Sequence, residues 1–251
     1  MQLLDNITPK VIKNTKWLDF LYKRNLINIS TYYDTLTDLV FKKVLKHDSK
    51  CVDIGCHTGT ILQMMMKYSQ NGTFYCFEPI PHLYKDLKNK YCHHQNILIY
   101  DIALSDIAGE STFNYVITNP AYSGLIKRRY DRPNEEDTKI NVKTDLLDRL
   151  LLNTCIDLIK IDVEGAELQV LRGAKEVIKR DKPYVIFEHG LGAADYYETT
   201  PEDIYDLLND YCGLCLNPLD QYLKNNKPLL KNEFCEQFYK GLNSYFLAYN
   251  S

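Results

Sequence analysis

Apolar residues gather in short runs along this chain, and between the runs their spacing changes. Cys51-Val-Asp-Ile54, Thr73-Phe-Tyr-Cys-Phe77 and Asn96-Ile-Leu-Ile-Tyr100 have the length and composition of buried strands. Ile61, Leu62, Met65 and Met66 follow the first run, and Leu83 and Leu87 the second, at helical spacing. Strand and helix therefore alternate, which predicts a parallel, doubly wound sheet. A fourth strand is predicted at 157–162 around Leu158, Ile159 and Ile161. Leu168, Leu171, Ala174 and Ile178, widened by Val170 and Val177, predict a helix over 165–179. Pro183 then opens the strand Tyr184-Val-Ile-Phe187. A helix at 201–211 and strands at 213–216 and 244–249 bring the sheet to seven strands.

Two regions stand outside this rhythm. Residues 1–48 read as a helical extension, with Trp17, Phe20 and Leu21 on one face and Leu36, Leu39, Val40 and Val44 on another. It is expected to cover one edge of the sheet, with a lid over a ligand as the alternative. Between about 109 and 144 the pattern loosens into two short strands, 111–117 and 140–144, around the polar loop 127–138. Irregular segments at strand ends carry binding, so acceptor specificity is assigned to this insertion. Residues 49–251 are otherwise expected to form one domain.

Composition narrows the function classes. Of 251 residues 45% are hydrophobic and 25% charged, and the net charge is -3, which argues against a dedicated nucleic-acid binder. No run approaches the length of a membrane span, and Met1 to Thr8 lacks the pattern of a signal peptide. With eight cysteines and no export signal, a reducing, cytoplasmic setting is expected, with no membrane partner. Cys212 and Cys215 have zinc-knuckle spacing but no second pair, so they read as two thiols beside a late strand.

Chemistry concentrates where strands end, because ligands of open α/β sheets bind at the carboxyl edge. The turn Gly55-Cys-His-Thr-Gly59 invites a dinucleotide reading, but His57 occupies the place of the glycine that lets a backbone approach pyrophosphate. Asp53 would also repel a phosphate. Both features suit S-adenosylmethionine, which carries an ammonium, a sulfonium and a carboxylate. Asp53 is assigned to the ammonium, directly or through water. The turn at Gly55, Cys56, Thr58 and Gly59, with the helix start behind it, is assigned to the carboxylate. Glu78, followed by Pro79 and 23 residues after Gly55, can accept both ribose hydroxyls. Asp101 can accept from the adenine amino group, with Ile102 and Ala103 against the ring.

With these residues in view, the sequence resembles the FkbM-type methyltransferases. The resemblance rests on Asp157-Leu-Ile-Lys-Ile-Asp-Val-Glu-Gly-Ala-Glu167, Leu171-Arg-Gly-Ala174 and the strand ending at Glu188. Val52 to Gly55, Phe77 to Pro79, Ala103 to Ser105 with Gly109, and Leu146 to Leu150 agree with it. It implies a class I methyltransferase (Rossmann-like) fold, a seven-stranded mostly parallel sheet with helices on both faces. It also implies O-methylation of a hydroxyl on a sugar, glycan or polyketide-type acceptor. His57 departs from the Asn or Ala common at its position, and the insertion matches no family pattern, so acceptor identity does not transfer.

A hydroxyl is a poor nucleophile, so a base or a metal must help remove its proton. Asp162, Glu164, Glu188 and His189 end two neighbouring strands and are the candidates. His189 has the most suitable unperturbed pKa, so His189 or Glu188 is assigned as base, with Asp162 and Glu164 orienting the acceptor. The structural alternative for Asp162 and Glu164 is capping of the following helix, whose dipole lowers a carboxylate's pKa. A Mg²⁺ ion held by these acids is the less favoured arrangement. Lys160 either reaches the pocket or pairs with an acid, and Tyr122 and Ser123 are assigned to the acceptor pocket. Asn119-Pro-Ala-Tyr122 is close to the Asn-Pro-Pro-Tyr signature of methyltransferases acting on amino nitrogens, but it falls outside the fourth strand. Nitrogen methylation of nucleic acid or protein is therefore an alternative, as is a non-catalytic protein that only binds the cofactor.

Overall fold

The structure, a computed structural model, describes residues 15–130 and 132–250. Ten strands follow one another: β1 (Lys50–Ile54), β2 (Thr73–Phe77), β3 (Ile97–Tyr100), β4 (Ile102–Leu104), β5 (Gly109–Val116), β6 (Asp137–Asp145), β7 (Leu158–Ile161), β8 (Tyr184–Glu188), β9 (Cys215–Pro218) and β10 (Tyr245–Tyr249). Seven form the main sheet in the order β3-β2-β1-β7-β8-β10-β9. The first five are parallel, and β10 runs antiparallel to both of its neighbours. The expected seven-stranded, mostly parallel sheet is thus present.

Side chains alternate across the sheet and divide its core into two layers. Val52 and Ile54, Ile159 and Ile161, and Val185 and Phe187 face the helices Glu167–Gly173, Lys175–Asp181 and Pro201–Tyr205. Cys51, Leu158, Ile186 and Leu247 face the helices Ile29–Val44 and Thr60–Tyr68. The N-terminal helices therefore lie over the middle of one sheet face, not along an edge. Their buried positions also differ from the expected ones. Leu18 and Leu21 are buried in helix Thr15–Lys23, while Trp17 and Phe20 stay about half exposed. Leu36 and Val40 are buried as expected, and Phe41 joins them. Residues 1–14 of the predicted extension lie outside the described residues.

The insertion is more regular than its sequence suggests. β5 and β6 pair antiparallel along their length, from Gly109 opposite Thr144 to Val116 opposite Asp137. β4 adds to β6 in parallel and completes a second, three-stranded sheet. Ile80, Leu83, Ala103, Phe113 and Val142 weld this small sheet to the carboxyl edge of the large one. The helix expected over 165–179 is broken at Ala174 into two short helices. The segment 201–211 begins as an α-helix and ends in a π-helical turn, Asp206–Tyr211.

Gly173 sits where the first of those helices meets the end of β4. A Cβ there would lie 2.0 Å from the Ser105 carbonyl oxygen. Helix propensity favours alanine over glycine by about 1 kcal/mol, but a backbone atom at that distance cannot yield without moving the seam. Gly173→Ala is therefore expected to lower the urea midpoint; a midpoint at or above that of the unmodified protein would show that the seam can part freely.

Candidate active site

A cavity of about 240 Å³ opens at the carboxyl ends of β1, β2, β4 and β7. The turn from Gly55 to Thr60 forms one wall, Phe77 to Ile80 a second, and Ile102 to Leu104 a third. Asp162, Val163, Glu164 and Ala166 close the far end. The insertion supplies the roof through Phe113, Pro120, Ala121, Ser123 and Leu125. No lysine or arginine lines the cavity among the described residues, and three carboxylates do. Such a lining rejects a phosphate-rich dinucleotide and suits a nucleoside that carries positive charge.

Backbone geometry fixes the turn. Gly55 has a φ of +78°, and a Cβ on it would lie 1.9 Å from the Asp162 carbonyl oxygen. Only glycine lets β1 leave the sheet that close to the end of β7. His57 is held left-handed at a φ of 49°, and its amide donates to Glu78 Oε2 at 2.8 Å. The Ile80 amide donates to Glu78 Oε1 at 2.9 Å. Both carboxylate oxygens are thereby aimed, and each keeps acceptor capacity for a ligand. Burial raises the Glu78 pKa to about 7 against the pull of those two amides.

Not every residue expected at the cofactor lines this cavity. Gly55, Cys56, Thr58, Glu78, Pro79, Ile102 and Ala103 do. Gly59 shapes the turn, at a φ of +80°, and packs toward Leu87 and Tyr91. Asp53 lies beneath the turn, 2% exposed, and burial raises its pKa to about 6. A direct contact with a ligand ammonium is closed to it. Asp101 is half exposed and binds Lys143 at 2.8 Å, so its carboxylate is turned away from any adenine pocket. Of the two residues assigned to the acceptor, Ser123 lines the roof and accepts from the Val116 amide. Tyr122 lies outside the lining, stacked on Tyr130. The Asn119–Tyr122 segment is a 3₁₀ turn between β5 and β6, far in sequence from the end of β7.

At the acidic end the structure redistributes the expected roles. Strand alternation puts Glu188 and His189 on opposite faces of β8. Glu188 accepts from the Tyr245 hydroxyl at 3.2 Å, and that hydroxyl also lies 3.1 Å from Asp162 Oδ2. His189 is fully buried on the other face, stacked on Phe238 at 4.5 Å and on Phe234 at 6.3 Å, with both ring nitrogens unpartnered. Burial lowers its pKa to about 4. His189 therefore does not reach the acids and is withdrawn as a base.

Asp162 and Glu164 do not cap the helix either. That helix starts at Glu167, whose own carboxylate accepts from the Val163 and Gly165 amides at 3.1 and 3.2 Å. Asp162 and Glu164 are left to face the cavity. Lys160, 1% exposed, binds Asp162 at 3.0 Å, so it pairs with an acid and stays out of the cavity. Glu164 is paired with Arg128 from the insertion, whose guanidinium lies 4.5 Å from the Tyr122 ring centre. Burial and the neighbouring Asp162 carboxylate raise the Glu164 pKa to about 8, and Arg128 opposes the rise. The expected lowering by a helix dipole is thus reversed. Burial and the same acids also hold Glu188 well above the ordinary carboxylate range.

Arg128, Tyr245 and Glu167 are site residues to which the sequence assigned no role. Arg128 sits in a polar loop without periodicity, and Tyr245 reaches the acids from 83 residues away. Only Glu167 carried a local signal, since an acid at a helix start is a capping pattern.

The sequence model of a family described as Methyltransferase FkbM domain matches residues 53–213, more than half of the chain. The 2-O-methyltransferase NoeI of Sinorhizobium fredii is 27% identical over 150 residues, covering 55% of this chain and 62% of that protein. The AMB antimetabolite synthetase AmbE of Pseudomonas aeruginosa is 24% identical over 195 residues, covering 62% of this chain and 9% of that protein. A crystal structure of methyltransferase FkbM from Methylobacillus flagellatus KT superposes with a TM-score of 0.52 at 13% identity, covering 96% of this chain and 60% of that one. The chain thus spans less than two thirds of each of these three, and the last likeness shows the fold, a class I methyltransferase sheet.

The buried groups make two opposing contributions to stability as pH changes. Glu78, Glu167 and Glu164 have raised pKa values of about 7, 7 and 8, so the folded chain binds more protons than the unfolded one there. Their stabilising contribution is full below the ordinary carboxylate pKa and is lost as pH rises through 7 to 8. His189 acts oppositely, because its folded pKa of about 4 lies below the ordinary 6.5, and it removes stability as pH falls through that interval. Between about pH 4.5 and 6.5 the three glutamates outweigh the single histidine, so the melting temperature is expected to be highest near pH 4.5 and to fall as pH rises toward 8. His189→Phe should raise it most below about pH 6.5, where the imidazole works against the glutamates, while leaving turnover intact; lost turnover in a well-folded variant would return His189 to the chemistry.

Proposed function

Because this chain belongs to the FkbM methyltransferase family, we propose that it is an S-adenosylmethionine-dependent O-methyltransferase whose acceptor is a hydroxyl of a sugar or glycan. The observation that carries this reading is the join between two sites at Asp162 and Glu164. Both residues line the cofactor-sized cavity and both stand in the acid cluster with Lys160, Arg128 and Tyr245. The acceptor class draws on the similarity to NoeI, named a 2-O-methyltransferase.

The residues present fit the cofactor. Glu78, aimed by two amides, offers free lone pairs to a ribose diol. Ile102 and Ala103 offer an apolar wall to the adenine, and the carboxylates at the far end favour the charged methionine portion. When bound, the cofactor supplies a methyl group on a sulfonium, and transfer breaks the S–C bond as the acceptor oxygen forms the C–O bond. The chain must then align the hydroxyl and take its proton. Glu164 is the best base of the set. Its raised pKa gives it affinity for a proton near neutral pH, and its pairing with Arg128 keeps a population ionised. Asp162, held by Lys160 and Tyr245, orients the acceptor. Lys160 and Arg128 already provide the positive charge that a divalent ion would bring, which supports a mechanism without Mg²⁺.

Transfer of labelled methyl from S-adenosylmethionine to a panel of saccharides tests the activity; labelling of RNA, DNA or protein in place of the saccharides would overturn the acceptor class. Glu164→Gln is expected to lower kcat by roughly a hundred-fold or more, and full turnover in this variant would remove Glu164 from the role of base. Arg128→Leu removes the cation that lowers the Glu164 pKa, so the alkaline rise of kcat/KM should move to higher pH. Glu78→Ala should weaken cofactor binding in calorimetry by roughly ten- to a hundred-fold, the effect of losing hydrogen bonds to a charged group.

A further inference from the structure

A second cleft, about 450 Å³, lies beside the acid cluster on the side away from the cofactor cavity. The N-terminal helices form one wall, and the segments 190–191 and 241–244 form the other. Neither the cofactor nor the methyl-transfer chemistry uses it.

Its construction is specific. Tyr22 stacks on Tyr32 at 4.5 Å, Tyr32 meets Tyr33 edge-on at 5.5 Å, and Tyr33 stacks on Tyr245 at 4.6 Å. Tyr245 in turn holds Asp162 and Glu188. Two stacked rings, Tyr33 and Tyr245, therefore connect the cleft wall to the acids at the reaction end. Its polar side is an ion triad. Lys224 Nζ bridges Asp19 and Asp220 at 2.8 Å each, and the Tyr32 hydroxyl donates to Asp19 at 2.9 Å. Asp34, the next residue after Tyr33, is exposed and feels both Asp162 and Lys160, so the same helical turn borders the cleft and the reaction end.

We propose that this cleft is an acceptor subsite that holds further sugar units of an oligosaccharide whose terminal unit is methylated, an inference that rests on the saccharide reading given above. Tyr22, half-buried in the cleft wall and backed by the buried Tyr32, offers apolar ring surface to the C–H side of a pyranose. Carboxylates fixed by a lysine accept from sugar hydroxyls, since each has more acceptor sites than its protein partners fill. Lys23 also lines the cleft, so two lysines balance Asp19 and Asp220 and no net charge there selects an ionic ligand. A purely apolar tail is disfavoured by the same triad, although Ile29, Leu191 and Leu242 leave apolar surface in the cleft walls.

The test is the dependence of kcat/KM on acceptor length, measured with malto-, cello- and chito-oligosaccharides from mono- to pentasaccharide. The unmodified protein is expected to gain about ten-fold or more along the series whose terminal sugar it methylates, the effect of one or two added hydrogen bonds. Leu191→Trp, which fills the cleft from an exposed position, and Asp220→Asn, which removes a charged acceptor, should each reduce that gain to two-fold or less, with cofactor affinity unchanged as the check on folding. A rate independent of length, or a gain that survives both variants, overturns the subsite while leaving the saccharide reading intact. A gain with alkyl glycosides in place of longer saccharides assigns the cleft to an apolar tail and also overturns it. Methylation confined to acceptors that are not saccharides overturns the reading beneath it, and the subsite with it.

Discussion

The ammonium of Lys160 is the charge around which the acidic end of this protein is assembled. It stands 1% exposed on β7, with Asp53 as its register partner on β1. It binds Asp162 directly and lies 5.0 Å from the centre of the Tyr245 ring. Burial raises the pKa values of Asp34, Asp53 and Glu188, and the field of Lys160 opposes that rise in all three, acids carried by three different elements. A buried cation of this kind is costly to desolvate and persists only with its partners in place. The converse also holds: without it, the carboxylates that crowd this end of the sheet would have to take up protons or move apart. The order of strands puts Lys160 at the centre of the sheet, so fold and charge arrangement require each other.

Much of the scaffold is legible in local pattern. Strands buried on both faces announce themselves as unbroken apolar runs, and β2 falls exactly where its run does, from Thr73 to Phe77. The Gly55 turn and Glu78 are legible because a strand end followed by a glycine turn or an acid is a local event. Misreadings arise where a long-range neighbour decides. Trp17, Phe20 and Leu21 match a helical face, but of the three only Leu21 is buried, together with Leu18. Asp101 ends its strand in the right place for a ligand, yet Lys143 of β6 captures it.

The base was misassigned for a different reason. The alternation that places Lys160 and Asp162 on one face applies equally to Glu188 and His189, and it forbids both from facing one site. That rule was available from the sequence. What was not available is that Arg128 would return from an aperiodic loop, 36 residues away, to neutralise Glu164. Contacts of that kind depend on how the β5–β6 ribbon folds back, and no window of sequence contains both partners.

The near contact between Gly55 and the Asp162 carbonyl has a consequence for how such a protein can diversify. It ties the glycine turn to the acid-bearing turn through backbone alone, so the spacing between the two turns is built into the sheet. The roof, from β5 and the segment that follows it, and the N-terminal helices lie outside this pair. Substitutions in those outer parts can reshape what is admitted while the inner spacing stays constant. Selectivity and reactivity are thereby separable traits in this architecture, and a lineage can explore new acceptors without rebuilding its chemistry.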